Sequence, residues 1–99
     1  MEKSKRSRYL QLERIVRGFS NHRRIEILEL LQTYPELSVA DIAKRLRINL
    51  KTASSHIQRL AVAGLIMKRS DAASIRHRLT NRGLFIMKYI KELEDRHIG

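Results

Sequence analysis

The chain of 99 residues has no cysteine, one proline and four glycines. Without thiols it can form neither a disulfide nor a thiolate metal site. Its glycines are scattered, so no glycine-rich phosphate loop is present. No apolar run approaches the ~20 residues needed to cross a bilayer. The opening stretch Met1-Glu2-Lys3-Ser4-Lys5-Arg6-Ser7-Arg8 lacks the apolar centre of a secretory signal. A soluble, cytoplasmic protein with no membrane contact is expected. The acidic and histidine side chains Glu92, Glu94, Asp95 and His97 crowd one end of the chain rather than converging on a pocket. No catalytic residue and no cofactor is expected, and the chain does not read as an enzyme.

Acidic residues are also few: ten Asp and Glu stand against 21 Lys and Arg, for a formal charge of +11. A polyanionic partner is the simplest explanation for that imbalance. The cations are segregated. Lys3, Lys5, Arg6, Arg8, Arg14, Arg17, Arg23 and Arg24 form one group. Lys44, Arg45, Arg47, Lys51, Arg59, Lys68, Arg69, Arg76, Arg78 and Arg82 form another, with Asp71 as the sole acid in that stretch. Ile25 to Ala43 has no Lys or Arg at all but holds Glu26, Glu29, Glu36 and Asp41. Segregation of this kind predicts one charged docking face rather than a uniformly basic surface.

Hydrophobic spacing predicts a basic, mobile arm over residues 1–8 and a single domain over 9–97. Tyr9, Leu12, Ile15/Val16 and Phe19 recur at helical spacing, and Gly18 or Phe19 ends this first helix. Ser20 or Asn21 caps a second helix, with Ile25, Leu28 and Leu31 inward and Ile27 and Leu30 beside them. Pro35 stops it, because the residue before a proline is pushed out of the helical region. Ser38 and Asp41 form a capping box for a third helix, with Leu37 and Ile42 as its hydrophobic staple. Arg47-Ile48-Asn49 is the turn into a fourth helix, capped by Asn49 and ended by Gly64 in the left-handed conformation. Leu65–Arg69 and Ser74–Leu79 read as two strands around the tip Ser70-Asp71-Ala72-Ala73. Ile75, His77 and Leu79 form the inward face and Arg76 and Arg78 the outward one. Thr80 caps a last helix from Asn81 to Arg96. The expected fold is mainly α with a small β-hairpin wing: a winged helix-turn-helix.

Between the apolar positions Ala53, Ile57 and Leu60, the fourth helix presents Lys51, Thr52, Ser54, Ser55, His56, Gln58 and Arg59. Small polar and cationic side chains in such a row can reach base edges and phosphates in a major groove. The amides behind Asn49 favour a phosphate. Lys68, Arg69, Arg76 and Arg78 place cations on the wing, where they would clamp phosphates or enter an adjacent minor groove. A charged sheet edge also discourages aggregation, and both readings apply. Lys3, Lys5, Arg6 and Arg8 are equally readable as an arm along DNA or as a solubilising terminus.

From about Phe19 to Gly83 the chain resembles the ArsR/SmtB family of small winged-helix repressors, with MarR-like regulators second. Arg24-Ile25-Glu26-Ile27-Leu28 is similar to that family's Arg-Leu-x-Ile-Leu, and Ser54-Ser55-His56-Ile57 to its Ser-x-His-Leu. Leu60-Ala61-Val62-Ala63-Gly64-Leu65-Ile66 resembles its Leu-x-x-Ala-Gly-Leu-Val. The resemblance implies a transcriptional regulator whose fourth helix reads double-stranded DNA, and it gives His56 a DNA contact. It further implies a homodimer through the terminal helices. Tyr9, Leu12 and Val16 on the first helix, and Phe85, Met87, Tyr89, Ile90 and Leu93 on the last, would supply that interface.

Two departures bear on the signal. Ser38 stands where the family's sulfur ligand would be, in Glu36-Leu37-Ser38-Val39-Ala40-Asp41-Ile42. Asn81, Gly83, Glu94 and His97 fall on its second metal site and offer at most two plausible ligands, against the four of a closed zinc site. A metal effector is not expected. The reading is a homodimeric repressor of promoter DNA. The alternatives are an RNA- or ribosome-associated winged helix, and a winged helix that binds acidic protein in a larger assembly.

Overall fold

A computed structural model describes residues 2–71 and 73–99, with the side chains of residues 2, 3 and 71 excepted. Met1 and the Lys3 side chain of the expected arm, and Ala72 at the wing tip, therefore lie outside the described residues. The elements are α1 (Glu2–Phe19), α2 (His22–Thr33), α3 (Val39–Leu46), α4 (Leu50–Val62), β1 (Ile66–Asp71), β2 (Ser74–Leu79) and α5 (Asn81–His97).

α1 starts at Glu2, seven residues before Tyr9, so the backbone has no boundary between arm and domain. Lys, Arg and Glu are good helix formers, and neither proline nor an early glycine interrupts them. Once the Tyr9–Phe19 segment is helical, extension adds a hydrogen bond per residue without a new nucleation cost.

The caps follow the local chemistry. Asn21 Oδ1 accepts from the amides of Arg23 and Arg24 at the start of α2. Ser38 and Asp41 close a reciprocal capping box on α3. Asn49 Oδ1 accepts from the Thr52 amide at 2.7 Å, and Thr80 Oγ1 accepts from the Gly83 amide at 3.0 Å. α4 ends in a Schellman motif: Gly64 N donates to Ala61 O (2.9 Å) and Leu65 N to Leu60 O (3.0 Å). Gly64 has φ +76, a conformation that suits a residue without Cβ. The same pair of bonds ends α3, from Arg47 N to Lys44 O and from Ile48 N to Ala43 O. There the left-handed position is held by Arg47, at φ 57. This is the tight turn that sets α4 across α3.

α2 is the central helix, packed against α1, α3, α4, α5 and β2. Its buried residues are Ile27, Leu28 and Leu31. Ile27 therefore replaces Ile25 as the inward residue: a helix enclosed on several sides has no single apolar stripe for the spacing to mark. The core is completed by Ile42 of α3, Ala53, Ile57 and Leu60 of α4, Leu65 and Ile66 at the wing entry, and Ile86 and Met87 of α5. Gly83 lies against the Leu65 carbonyl, where an added Cβ would come to 2.1 Å. The absence of a side chain is what lets α5 start hard against the wing.

The two strands pair antiparallel, with Lys68 opposite His77 and Arg69 opposite Arg76. β1 begins one residue later than expected, because Leu65 closes the α4 cap. The inward face of β2 is shorter than its alternation implies: His77 is buried and Leu79 packs on the core, but Ile75 is 54% exposed. Ile75 lies toward the hairpin tip, beyond the reach of the helices. A bridge from Leu37 to His77 ties the wing back to the loop before α3.

Candidate nucleic-acid interface

α4 lies across the core with Ala53, Ile57 and Leu60 buried, which turns the intervening residues outward. Lys51, Thr52, Ser54, Ser55, Gln58 and Arg59 are all exposed. Among the described residues none of their side chains is hydrogen-bonded or ion-paired within the chain. Asn49 is exposed too, but its side-chain oxygen is committed to the cap. The helix start still carries the free amides of its first turn.

His56 is different. Its ring is half-buried and faces α2, where Arg24 Nη1 donates to Nδ1 at 3.2 Å. An arginine only donates, so the ring accepts and carries its own proton on Nε2. Burial holds its pKa below the ordinary imidazole value, with Arg24 and Arg59 adding to the effect. Arg24 in turn donates through Nε to Gly18 O (2.8 Å) and through Nη2 to Arg17 O (3.3 Å). One guanidinium thus ends α1 and braces the middle of α4. Arg24 is a residue that the sequence offered only as part of a motif.

The four wing cations separate into two sets. Lys68 shares a cleft of about 300 Å³ with Ser54, Gln58, Val39 and Ile75, between the wing and α4. Arg69 and Arg76 are on the other face of the hairpin, tied to the α2–α3 loop. Arg69 Nη1 contacts both carboxylate oxygens of Glu36 at 2.9 and 3.2 Å, and Arg76 Nη1 donates to the Glu36 carbonyl at 3.3 Å. Two arginines directly opposite one another repel, and Glu36 offsets that repulsion. Glu36 itself is left-handed, at φ 64. Arg78 stays exposed, with Nε 3.5 Å from Met67 Sδ. The sequence offers Glu36 only as the first residue of a motif and gives no sign of its wing partners, which are 33 and 40 positions away.

A second basic feature adjoins α4 on the side away from the wing. Arg14 and Arg17 of α1 line a groove with Ser55, Gln58 and Arg59. α1 comes this close because Gly18 lies on Ala63, where an added Cβ would sit 2.3 Å from the Ala63 methyl.

Of the residues expected at the terminal-helix interface, Tyr9, Leu12, Val16, Phe85, Tyr89 and Leu93 are exposed by 40–69%. Met87 is instead 5% exposed and Ile90 packs on the chain's own core. α5 turns these two toward α2, so they belong to the fold. Leu10 and Leu84 are exposed alongside the remaining six. Among the described residues no group of three or more His, Asp and Glu could hold a metal ion, and no helix is long and apolar enough to cross a membrane.

The fold is that of a winged helix-turn-helix DNA-binding domain, of the kind found in transcriptional regulators. Residues 20–67 match the winged helix-turn-helix DNA-binding family. Across 96% of its length the chain is similar to the homodimeric winged helix-turn-helix DNA-binding domain (fragment 1–100) of a Mycobacterium bovis protein, a possible ArsR-family transcriptional regulator. The identity is 28%, the TM-score 0.87, and 88% of that chain is covered. An ArsR-like transcriptional regulator from Rhodococcus sp. RHA1 is 26% identical with a TM-score of 0.71, over 90% of this chain and 81% of that one. Reduced HlyU from Vibrio cholerae shares the fold at 23% identity and a TM-score of 0.74, over 98% and 99% of the two chains. None of the curated proteins matches the chain. The expected likeness to ArsR-like regulators is thus found.

Proposed function

We propose that this chain is a homodimeric, sequence-specific regulator of transcription that binds double-stranded DNA and represses by covering a promoter. The observation that carries this reading is the exposed row of Lys51, Thr52, Ser54, Ser55, Gln58 and Arg59 on α4, whose side chains have no partner within the described chain. In the proposed complex α4 enters the major groove with Lys51, Thr52, Ser54, Ser55 and Gln58 toward base edges. Arg59 and the first-turn amides behind Asn49 meet phosphates. Lys68 and Arg78 of the wing reach the flanking backbone. Arg69 and Arg76 support the wing through Glu36, and His56 positions α4 through Arg24 rather than touching DNA.

The dimer rests on α1 and α5. Each leaves an apolar face uncovered, and residues 4–14 of α1 are all exposed. A helical stretch of that length is marginal in water without a packing partner. The similar Mycobacterium bovis domain is homodimeric. Pairing two copies through these faces would set their α4 helices in successive major grooves, about 34–36 Å apart.

Lys51→Ala and Gln58→Ala test the assignment. Each should weaken binding to the preferred duplex by about 1–3 kcal/mol, and random duplex by much less. Equal losses on the two would reassign these side chains to backbone positioning. A wild-type chain that prefers A-form RNA in competition would overturn the reading.

A further inference from the structure

The groove between α1 and α4 gathers three guanidinium groups, from Arg14, Arg17 and Arg59, around an open volume of about 390 Å³. Among the described residues Arg14 and Arg59 have no acidic partner. Arg17 has Glu13 at 3.8 Å, with its own side chain 80% exposed. A pair so long and so solvated contributes little. Like charges gathered without counter-ions repel, and an anion along the groove removes that repulsion.

The groove is continuous with the proposed reading face. Ser55 and Gln58 line it, and both also line the surface on the other side of α4 with Lys51 and Ser54. A strand bordering the major groove that holds α4 would therefore meet Arg59 first, then the two arginines of α1. At about 100° per residue, Arg6 falls on the same face of α1 as Arg14 and Arg17, roughly 12 Å before Arg14. The apolar stripe of Tyr9, Leu12 and Val16 lies about a third of a turn around the helix. A dimer built on that stripe leaves the arginines free.

We propose that this groove is a second phosphate track. One sugar-phosphate backbone of the duplex runs along it, held by Arg14 and Arg17 from α1 and by Arg59 from α4. The proposal rests on the reading of α4 as the DNA-inserting helix and assigns α1 a direct part in binding. Phosphate contacts carry no sequence information, so the track adds affinity on any duplex.

The test compares wild type with the double variant Arg14→Gln/Arg17→Gln, titrating preferred and random duplexes across 50–200 mM salt. As a charge-matched control, Lys91→Gln/Arg96→Gln removes two cations from the far end of α5. Each lost phosphate contact lowers the salt slope by about 0.9. The groove variant should lose a slope of about 2 on both duplexes. Its deficit relative to wild type should then shrink by about tenfold between 50 and 200 mM. The control should keep the wild-type slope. A groove variant with the wild-type slope overturns the phosphate track and leaves the reading of α4 standing. A wild-type chain that binds no duplex at any salt overturns both. Should the variant lose its helical circular dichroism, phenylglyoxal modification of the wild-type chain decides instead. Bound duplex should protect Arg14 and Arg17, and full reactivity in the complex would refute the proposal.

Discussion

His77 is a buried polar side chain at the joint between wing and helices. Its backbone N–H and its ring Nδ1–H both donate to the Leu37 carbonyl, at 2.8 and 3.1 Å. Burial pushes the ring pKa below its ordinary value, the Leu37 bond opposes that shift, and Lys68 adds to it. The folded chain therefore favours the neutral ring. As pH falls through about 6.5, the unfolded chain takes up a proton before the folded one does. The stability that His77 contributes is full above that value and is lost as pH drops toward the lowered folded pKa. His56 is shifted in the same direction, so the wild-type Tm should fall from pH 7.5 to 5.0. His77→Gln and His56→Gln should each flatten the fall. A His77→Gln variant with the full wild-type pH dependence would rule out this account of the ring. Arg47 and Glu36 show a different expense at the same scale. Both are left-handed without being glycine, which costs roughly 1–2 kcal/mol each. The bonds that end α3 offset one, and the contacts of Glu36 with Arg69 and Arg76 offset the other.

Among the elements, the α1–α4 crossing is the one that a single methyl group would disturb. Gly18→Ala gains up to about 1 kcal/mol of helix propensity. The new Cβ, however, would meet the Ala63 methyl at 2.3 Å, and neither group can rotate away. Overpacking of this kind costs about 1–3 kcal/mol, so the net change should be destabilising. Urea denaturation should show a lower midpoint with an unchanged slope, and a midpoint at or above wild type would mean that α1 is not seated on α4. How far such elements were legible in the sequence depends on range. Asn21, Ser38, Asn49 and Thr80 cap helices through bonds within three residues, so their chemistry stands beside the element it starts. Gly64 is legible for the same reason. The start of α1 was missed because no apolar residue marks positions 2–8, while their helix propensity is good. Arg24 with His56 and Arg69 with Glu36 were missed because they join residues 32 and 33 positions apart. Nothing in local spacing specifies such pairs. The polar face of α4 was legible as a row, yet His56 left it through Arg24, a contact that only the packed helices create. The helix end expected at Gly18 or Phe19 is found at Phe19, but nothing local marks Gly18 as the point where another helix packs.

At the scale of the whole molecule, charge and shape agree. The radius of gyration is 14.6 Å, above the roughly 13 Å of a compact domain of this size. The two long terminal helices, α1 and α5, carry uncovered apolar residues. The cations of α4, the wing and the α1 groove border one another, while the acids of α2 and α3 lie elsewhere in the sequence. Dimerisation through the terminal helices would double that basic surface and fix the spacing of its two reading helices. Selection from a random duplex library tests this directly. The account predicts enrichment of an inverted repeat whose half-sites are centred about one helical turn apart, 10–10.5 base pairs. Recovery of no symmetric motif, or of an unpaired half-site as the tightest ligand, would contradict it.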